Sequence, residues 1–308
     1  MAHARLDRMA AITLAGGALV GLTAAVLLCE NAVNIRPEFR PAADPRTAGA
    51  IARRSGAQWR SVAIRAADGA PLDAWLFTPA ASKRRAVILL HGVADTRTGV
   101  LHQTLLLLHH GYTVLAPDSR GHGASGGDPV TYGIREAGDV RAWTHWLFDN
   151  QRPDALYGLG ESMGAAILIQ SLAGEPRFRA VVAECSFSDF TEVAYLRMSQ
   201  FSGVRLERAR VVFRPLVETS LVYARLRYGV DLTRASPAAA LRATSVPVLL
   251  IHGTDDTNIP PSHSERLHAL APAVTTLWEP AGARHVSGIL RAPEEYSKRV
   301  LDWFASHP

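Results

Sequence analysis

A serine, a histidine and a pair of aspartates are the residues in this sequence whose types and spacing point to chemistry. Gly160-Glu161-Ser162-Met163-Gly164 follows a short apolar run and opens a helical pattern. In that context a sharp strand-to-helix turn holds the serine in a strained conformation with its hydroxyl exposed, and the flanking glycines leave room for the turn. A serine hydroxyl is a weak nucleophile at neutral pH, so it needs a base and a group that fixes the tautomer of that base. Further along, Val248 to Ile251 runs into His252-Gly-Thr-Asp-Asp-Thr-Asn-Ile-Pro260, which sets Asp255 and Asp256 at the carboxyl end of a strand. The run ending at Trp278 leads into Gly282-Ala-Arg-His285, a loop histidine. The chemistry expected is attack of Ser162 on an acyl carbon, with His285 as general base and one of the two aspartates behind it.

Such an attack builds a tetrahedral oxyanion that needs fixed N–H donors. The backbone of Met163, just after the serine and at the start of a helix, is one candidate, favoured by the helix dipole. The second is Val93, in the loop after His91-Gly92, which lacks a run of three glycines.

These residues must be positioned by a sheet. Ser61 to Ala66 and Leu72 to Thr78 have β character around an Asp68-Gly69 turn and read as a hairpin. Six short apolar runs follow, over 86–90, 112–116, 155–158, 180–183, 248–251 and 275–278. Helical patterns lie between most of them, at 100–110, 134–148, 163–172 and 262–270, with a last one at 293–305. Strands buried on both faces and alternating with helices imply an α/β fold with a mainly parallel sheet flanked by helices. One connection is too long for a crossover, since about 60 residues separate Glu184 from Val248. Its extra stretch, 190–241, is expected to be a small helical cap over the carboxyl edge of the sheet. The arginines of that stretch read as a solvated face, with affinity for anionic substrates or headgroups as the alternative.

The chain has 308 residues, 48% apolar and 20% charged, which suits one large α/β domain of 59–308 behind a short N-terminal region. Its net charge of +5 comes from scattered arginines, with no nucleic-acid docking pattern, so no nucleic-acid partner is expected. The twelve histidines form no metal-ligand spacing, and no metal or organic cofactor is expected. Cys29 and Cys185 fall in regions expected to be far apart, and no disulfide is predicted. Met9 to Cys29 carries no charge and, at about 1.5 Å per residue, matches a hydrocarbon core of about 30 Å. Residues 1–33 therefore read as a single-pass signal-anchor, and Arg5 and Arg8 before the apolar run place the catalytic domain on the non-cytoplasmic side. The competing reading is a secreted protein, cleaved near Thr23-Ala24-Ala25. Residues 34–58, with Pro37, Pro41 and Pro45, read as a linker with a short helix near Ala48 to Arg54.

Taken in order, His91-Gly92, Asp118-Ser-Arg-Gly-His-Gly-Ala-Ser125, Gly160 to Gly164, His252-Gly-Thr-Asp-Asp256 and His285 resemble the α/β-hydrolase superfamily, in particular its serine aminopeptidase-like branch with membrane-anchored members. The resemblance covers the chain from about Ser61 onward. It implies that Asp256 stands behind His285, because His-Gly-x-x-Asp followed by x-x-Ile-Pro matches the superfamily pattern, leaving Asp255 to the turn. It also implies that Asp118, Arg120 and Ser125 hold a turn. The expected function is cleavage of a carboxylic ester or related acyl bond of a small-molecule or lipid-like substrate through an acyl-enzyme. Acyl transfer by the same residues, or a non-catalytic binding module on this fold, are the alternatives.

Overall fold

A computed structural model describes residues 2–34 and 44–308; Pro37 and Pro41 of the expected linker lie outside the described residues. Helix α1, Ala2–Val33, contains the uncharged N-terminal stretch, and its window from Gly16 to Val33 is long and apolar enough to cross a membrane. Helix α2, Pro45–Ser55, covers the short helix expected in the linker: Asp44 caps its first turn and Gly56 ends it at a φ of 67°.

The hairpin forms as β1, Gln58–Arg65, antiparallel to β2, Pro71–Thr78. The six buried runs become β3 (Arg85–Leu90), β4 (Tyr112–Pro117), β5 (Ala155–Glu161), β6 (Phe178–Glu184), β7 (Val248–Ile251) and β8 (Thr275–Trp278). Among the described residues they form one sheet in the order β1-β2-β4-β3-β5-β6-β7-β8, parallel from β4 to β8. β5 extends past its expected end at Gly158 to Glu161, because Leu159 and Gly160 keep pairing with β3 and β6.

Successive side chains of a strand face opposite ways. Val87 and Leu89 pack under α2, α3 (Leu101–His109) and α12 (Pro293–Ala305), joining Ile51, Leu107 and Phe304. Ala86, Ile88 and Leu90 face the other layer, where α4 (Glu136–Gln151), α5 (Met163–Ser171), α9 (Pro237–Leu241) and α10 (Ser262–Leu270) supply Trp143, Ile167, Leu241 and Leu267. The stretch between β6 and β7 is helical, with α6 (Phe190–Ser202), α7 (Leu206–Val212) and α8 (Arg214–Tyr228) ahead of α9. The remaining helix, α11, is the short Gly288–Arg291 turn.

This strand order creates the place for a site. β3 leads to β4 on one side, whereas β5 leads to β6 on the other. Loops leaving the carboxyl ends of β3 and β5 therefore diverge, and the crevice between them is where open α/β sheets bind ligands.

Candidate active site

Ser162 stands at that crevice, between β5 and α5, with φ 51° and ψ −113°. Its backbone N–H donates to Glu184 O at 2.8 Å, which ties the strained turn to β6. The glycines of the motif are there for space. A Cβ at Gly160 would lie 2.6 Å from the Gly164 carbonyl, and one at Gly164 would lie 2.5 Å from Leu90 O, both against backbone that cannot step aside.

His285 reaches the serine from the loop after β8, its Nε2 lying 2.9 Å from Ser162 Oγ. On its other side, Nδ1 is 2.6 Å from Asp256 Oδ2. A carboxylate accepts only, so Nδ1 of the neutral ring carries the hydrogen and Nε2 offers its lone pair to the hydroxyl. Asp256 follows β7 and is 4% exposed. Burial alone would raise its carboxyl, but hydrogen bonds from His252 and His285 and from the Ile259 N–H hold it well below the ordinary carboxylate range. Asp255 is exposed and accepts the Thr254 hydroxyl at 3.0 Å, away from the histidine.

The histidine loop is docked from beneath. Val286 N–H donates to Cys185 Sγ at 3.3 Å, Gly288 N–H to Glu184 Oε1 at 2.9 Å, and the Tyr296 hydroxyl to Glu184 Oε2 at 3.0 Å. Cys185 and Val286 hold φ values of 53° and 46°, so the loop and the strand end it rests on share the same uncommon backbone geometry. His252 adds a second support: its Nε2 faces both Ile259 O at 2.8 Å and Asp256 Oδ2 at 3.2 Å. Because a carbonyl only accepts, that nitrogen carries a hydrogen, which it donates to Ile259 O with the aspartate oxygen close beside.

Met163 is the first residue of α5, where a backbone N–H has no intrahelical acceptor. Val93 lies in the loop after β3 and, with Ser162 and Met163, lines one cavity. That loop is held by two histidines. His91 Nε2 accepts from Ser119 N at 3.0 Å, and His122 Nε2 accepts from Ala94 N at 3.2 Å.

The Asp118 to Ser125 segment makes turn bonds. Asp118 accepts from Arg97 and from the Ala124 N–H, Ser125 Oγ donates to Asp118 O, and Arg120 pairs with Asp139 and Asp68. Cys185, His252 and Asp256 place ligand atoms within 4.8 Å of one another. They suit a metal poorly: burial pushes the Cys185 thiol well above its ordinary value, and His252 Nε2 is committed as a donor.

The cavity at Ser162 measures about 270 Å³. Its walls are mainly apolar, with Phe187 and Phe190 from beside β6 and α6, and with Arg197 as their cation, donating to Gln200 Oε1 at 2.6 Å. Sequence reasoning did not anticipate its remaining wall, formed by Leu28, Cys29 and Ala32 of α1. Nor did it find the supports Glu184, Cys185 and His252, of which only His252 lies within a recognisable motif.

The model of the alpha/beta hydrolase family matches residues 87–299. By sequence the chain is 30% identical to YqkD of Bacillus subtilis over 221 residues, 70% of each chain. It is also 30% identical over 199 residues to the lysophosphatidylserine lipase ABHD12 of Danio rerio, spanning 62% of this chain and 48% of that one. In fold it is similar to the esterase Pf2001 of Pyrococcus furiosus, with a TM-score of 0.69 at 24% identity, covering 87% of this chain and 98% of that one.

Proposed function

Because the chain belongs to the alpha/beta hydrolase family, a family of hydrolases, we propose that it is a serine hydrolase that cleaves a carboxylic ester or related acyl bond through Ser162, His285 and Asp256. The observation that carries this reading is the continuous chain of contacts from Ser162 Oγ through His285 to Asp256, at 2.9 and 2.6 Å.

In the proposed reaction Ser162 Oγ attacks the acyl carbon while His285 Nε2 takes its proton. The oxyanion is received by the N–H groups of Met163 and Val93. His285 then returns the proton to the leaving group, and an acyl-enzyme remains on Ser162. Water, deprotonated by the same imidazole, releases the acid. Asp256 stays ionised throughout, which its hydrogen bonds favour, and holds the ring in the productive tautomer.

The motif set supports placement in the serine aminopeptidase-like branch. Residues 59–308 are the proposed hydrolase domain, 190–241 its cap and 34–58 a linker. The apolar stretch in α1 supports a single-pass anchor within residues 1–33, with the catalytic domain on the non-cytoplasmic side. The apolar cavity, with similar proteins named esterase and lipase, supports a small-molecule or lipid-like acyl substrate.

The test is turnover of p-nitrophenyl and glycerol esters by the purified full chain, with products analysed in the presence of a competing alcohol. Free acid as the main product, lost in Ser162→Ala, supports hydrolysis. Acyl transfer to the alcohol as the main product, or equal turnover by the variant, rejects it.

A further inference from the structure

We propose that the last turns of α1 form one wall of an acyl-chain site, so that the same helix both anchors the protein and binds a long-chain substrate drawn from the membrane. The inference rests on the hydrolase reading for the bond that is cleaved; the binding it describes stands on geometry alone.

The end of α1 is a built part of the domain. Ala25, Cys29 and Val33 recur every four residues on one helical stripe and all three are buried, Cys29 and Val33 in a cluster shared with Ala224 of α8 and Leu196 of α6. Polar contacts fix the register. Glu30 accepts the hydroxyls of Tyr223 and Tyr228, both at 2.7 Å, and Tyr132 donates its hydroxyl to Ala32 O at 2.6 Å. At the helix end, Val130 N–H donates to Val33 O at 2.9 Å.

This docking places Leu28, Cys29 and Ala32 on the cavity that also holds Ser162. At about 270 Å³ it is close to the lower end of ligand pockets, roughly 300 Å³, and its walls give an alkyl chain apolar contact with a reacting serine at one side. A chain seated there would run against the helix itself.

The arithmetic of the helix joins this site to a bilayer. The uncharged residues from Met9 to Cys29 span about 32 Å at about 1.5 Å per residue, close to a hydrocarbon core of about 30 Å. The docked stripe from Ala25 to Val33 therefore overlaps the end of that stretch, at the edge of the bilayer. The exposed surface agrees. Leu19, Val20, Leu22 and Leu27 point outward from α1, and Phe201, which lines the cavity, is 79% exposed at the end of α6. A large apolar side chain so exposed beside a cavity is suited to the acyl boundary of a membrane.

The test uses the full chain in detergent micelles, with Leu28→Trp and Ala32→Trp to fill the cavity and Leu27→Trp, on the outward face, as control. The more conservative Ala32→Leu guards against misfolding. Binding of cis-parinaric acid, a fluorescent long-chain fatty acid, is measured alongside the ratio of laurate to acetate p-nitrophenyl ester hydrolysis. The filling variants should weaken binding and lower the ratio by about tenfold, the scale set by losing one or two buried methylenes, while Leu27→Trp changes neither. Failure of the wild type to bind the fatty acid, or filling variants that match Leu27→Trp in both readouts, would overturn the inference. Ester hydrolysis with an unchanged chain-length profile overturns it and leaves the hydrolase reading standing. Binding that depends on Ala32 without any ester hydrolysis supports it and rejects the hydrolase reading.

Discussion

Glu161 and Glu184 are register partners on the adjacent parallel strands β5 and β6, two buried carboxyls facing each other across the sheet one residue before Ser162 and Cys185. Burial, and then the neighbouring Glu184 charge, pushes Glu161 well above its ordinary value. Burial raises Glu184 as well, against the stabilising Gly288 N–H and Tyr296 hydroxyl. The folded state therefore binds protons that the unfolded chain releases once pH exceeds the ordinary glutamate value of 4.5. Stability from this pair is fully present below that value and is lost as pH rises through the raised values, at a slope of up to about 1.4 kcal/mol per pH unit for each group. Glu161→Gln should remove one group's share, so that its stability falls less steeply than the wild type's between mildly acid and mildly alkaline pH. Urea denaturation of both proteins across that range measures the two slopes, and equal slopes would count against the shared burial.

The two adjacent aspartates should separate cleanly. Asp256→Asn leaves the ring without its carboxylate and is expected to lower kcat by about 10⁴-fold, the loss typical of a wrong tautomer. Asp255→Asn alters an exposed group bonded to Thr254 and should stay within about a factor of two. Steady-state kinetics on a soluble short-chain ester distinguishes them; comparable losses in both variants would reassign the aspartate.

Much of this architecture was legible because it is written in local pattern. Every strand from β1 to β8 coincides with a run read from β character or apolar content, and the helical 190–241 stretch followed from a connection too long for a crossover. Asp256 could be set apart from Asp255 only through the resemblance, since both sit at the same strand end. What stayed hidden depends on distant chain segments meeting. Glu184 and Cys185 support a loop a hundred residues later, and no spacing encodes that contact. The wall formed by Leu28, Cys29 and Ala32 was hidden for a different reason: an uncharged helix reads as a membrane span whichever face it uses, and nothing in its residues signals that its last turns dock on the domain.

Space at the serine turn yields a further test. A methyl group at position 164 meets the Leu90 and His91 carbonyls, so Gly164→Ala must move β3 against α5. A cost of about 1–3 kcal/mol, typical of overpacking, is expected together with loss of turnover, because the displaced helix start carries Ser162 and Met163. Thermal unfolding and activity of the variant measure both; wild-type values for each would contradict the packing described.

Labelling by a fluorophosphonate probe, which reacts with activated serines, decides whether Ser162 is a working nucleophile. The folded wild type should be labelled covalently at Ser162, and folded Ser162→Ala should not. Undiminished labelling of the variant, or no labelling of the folded wild type, would contradict that role.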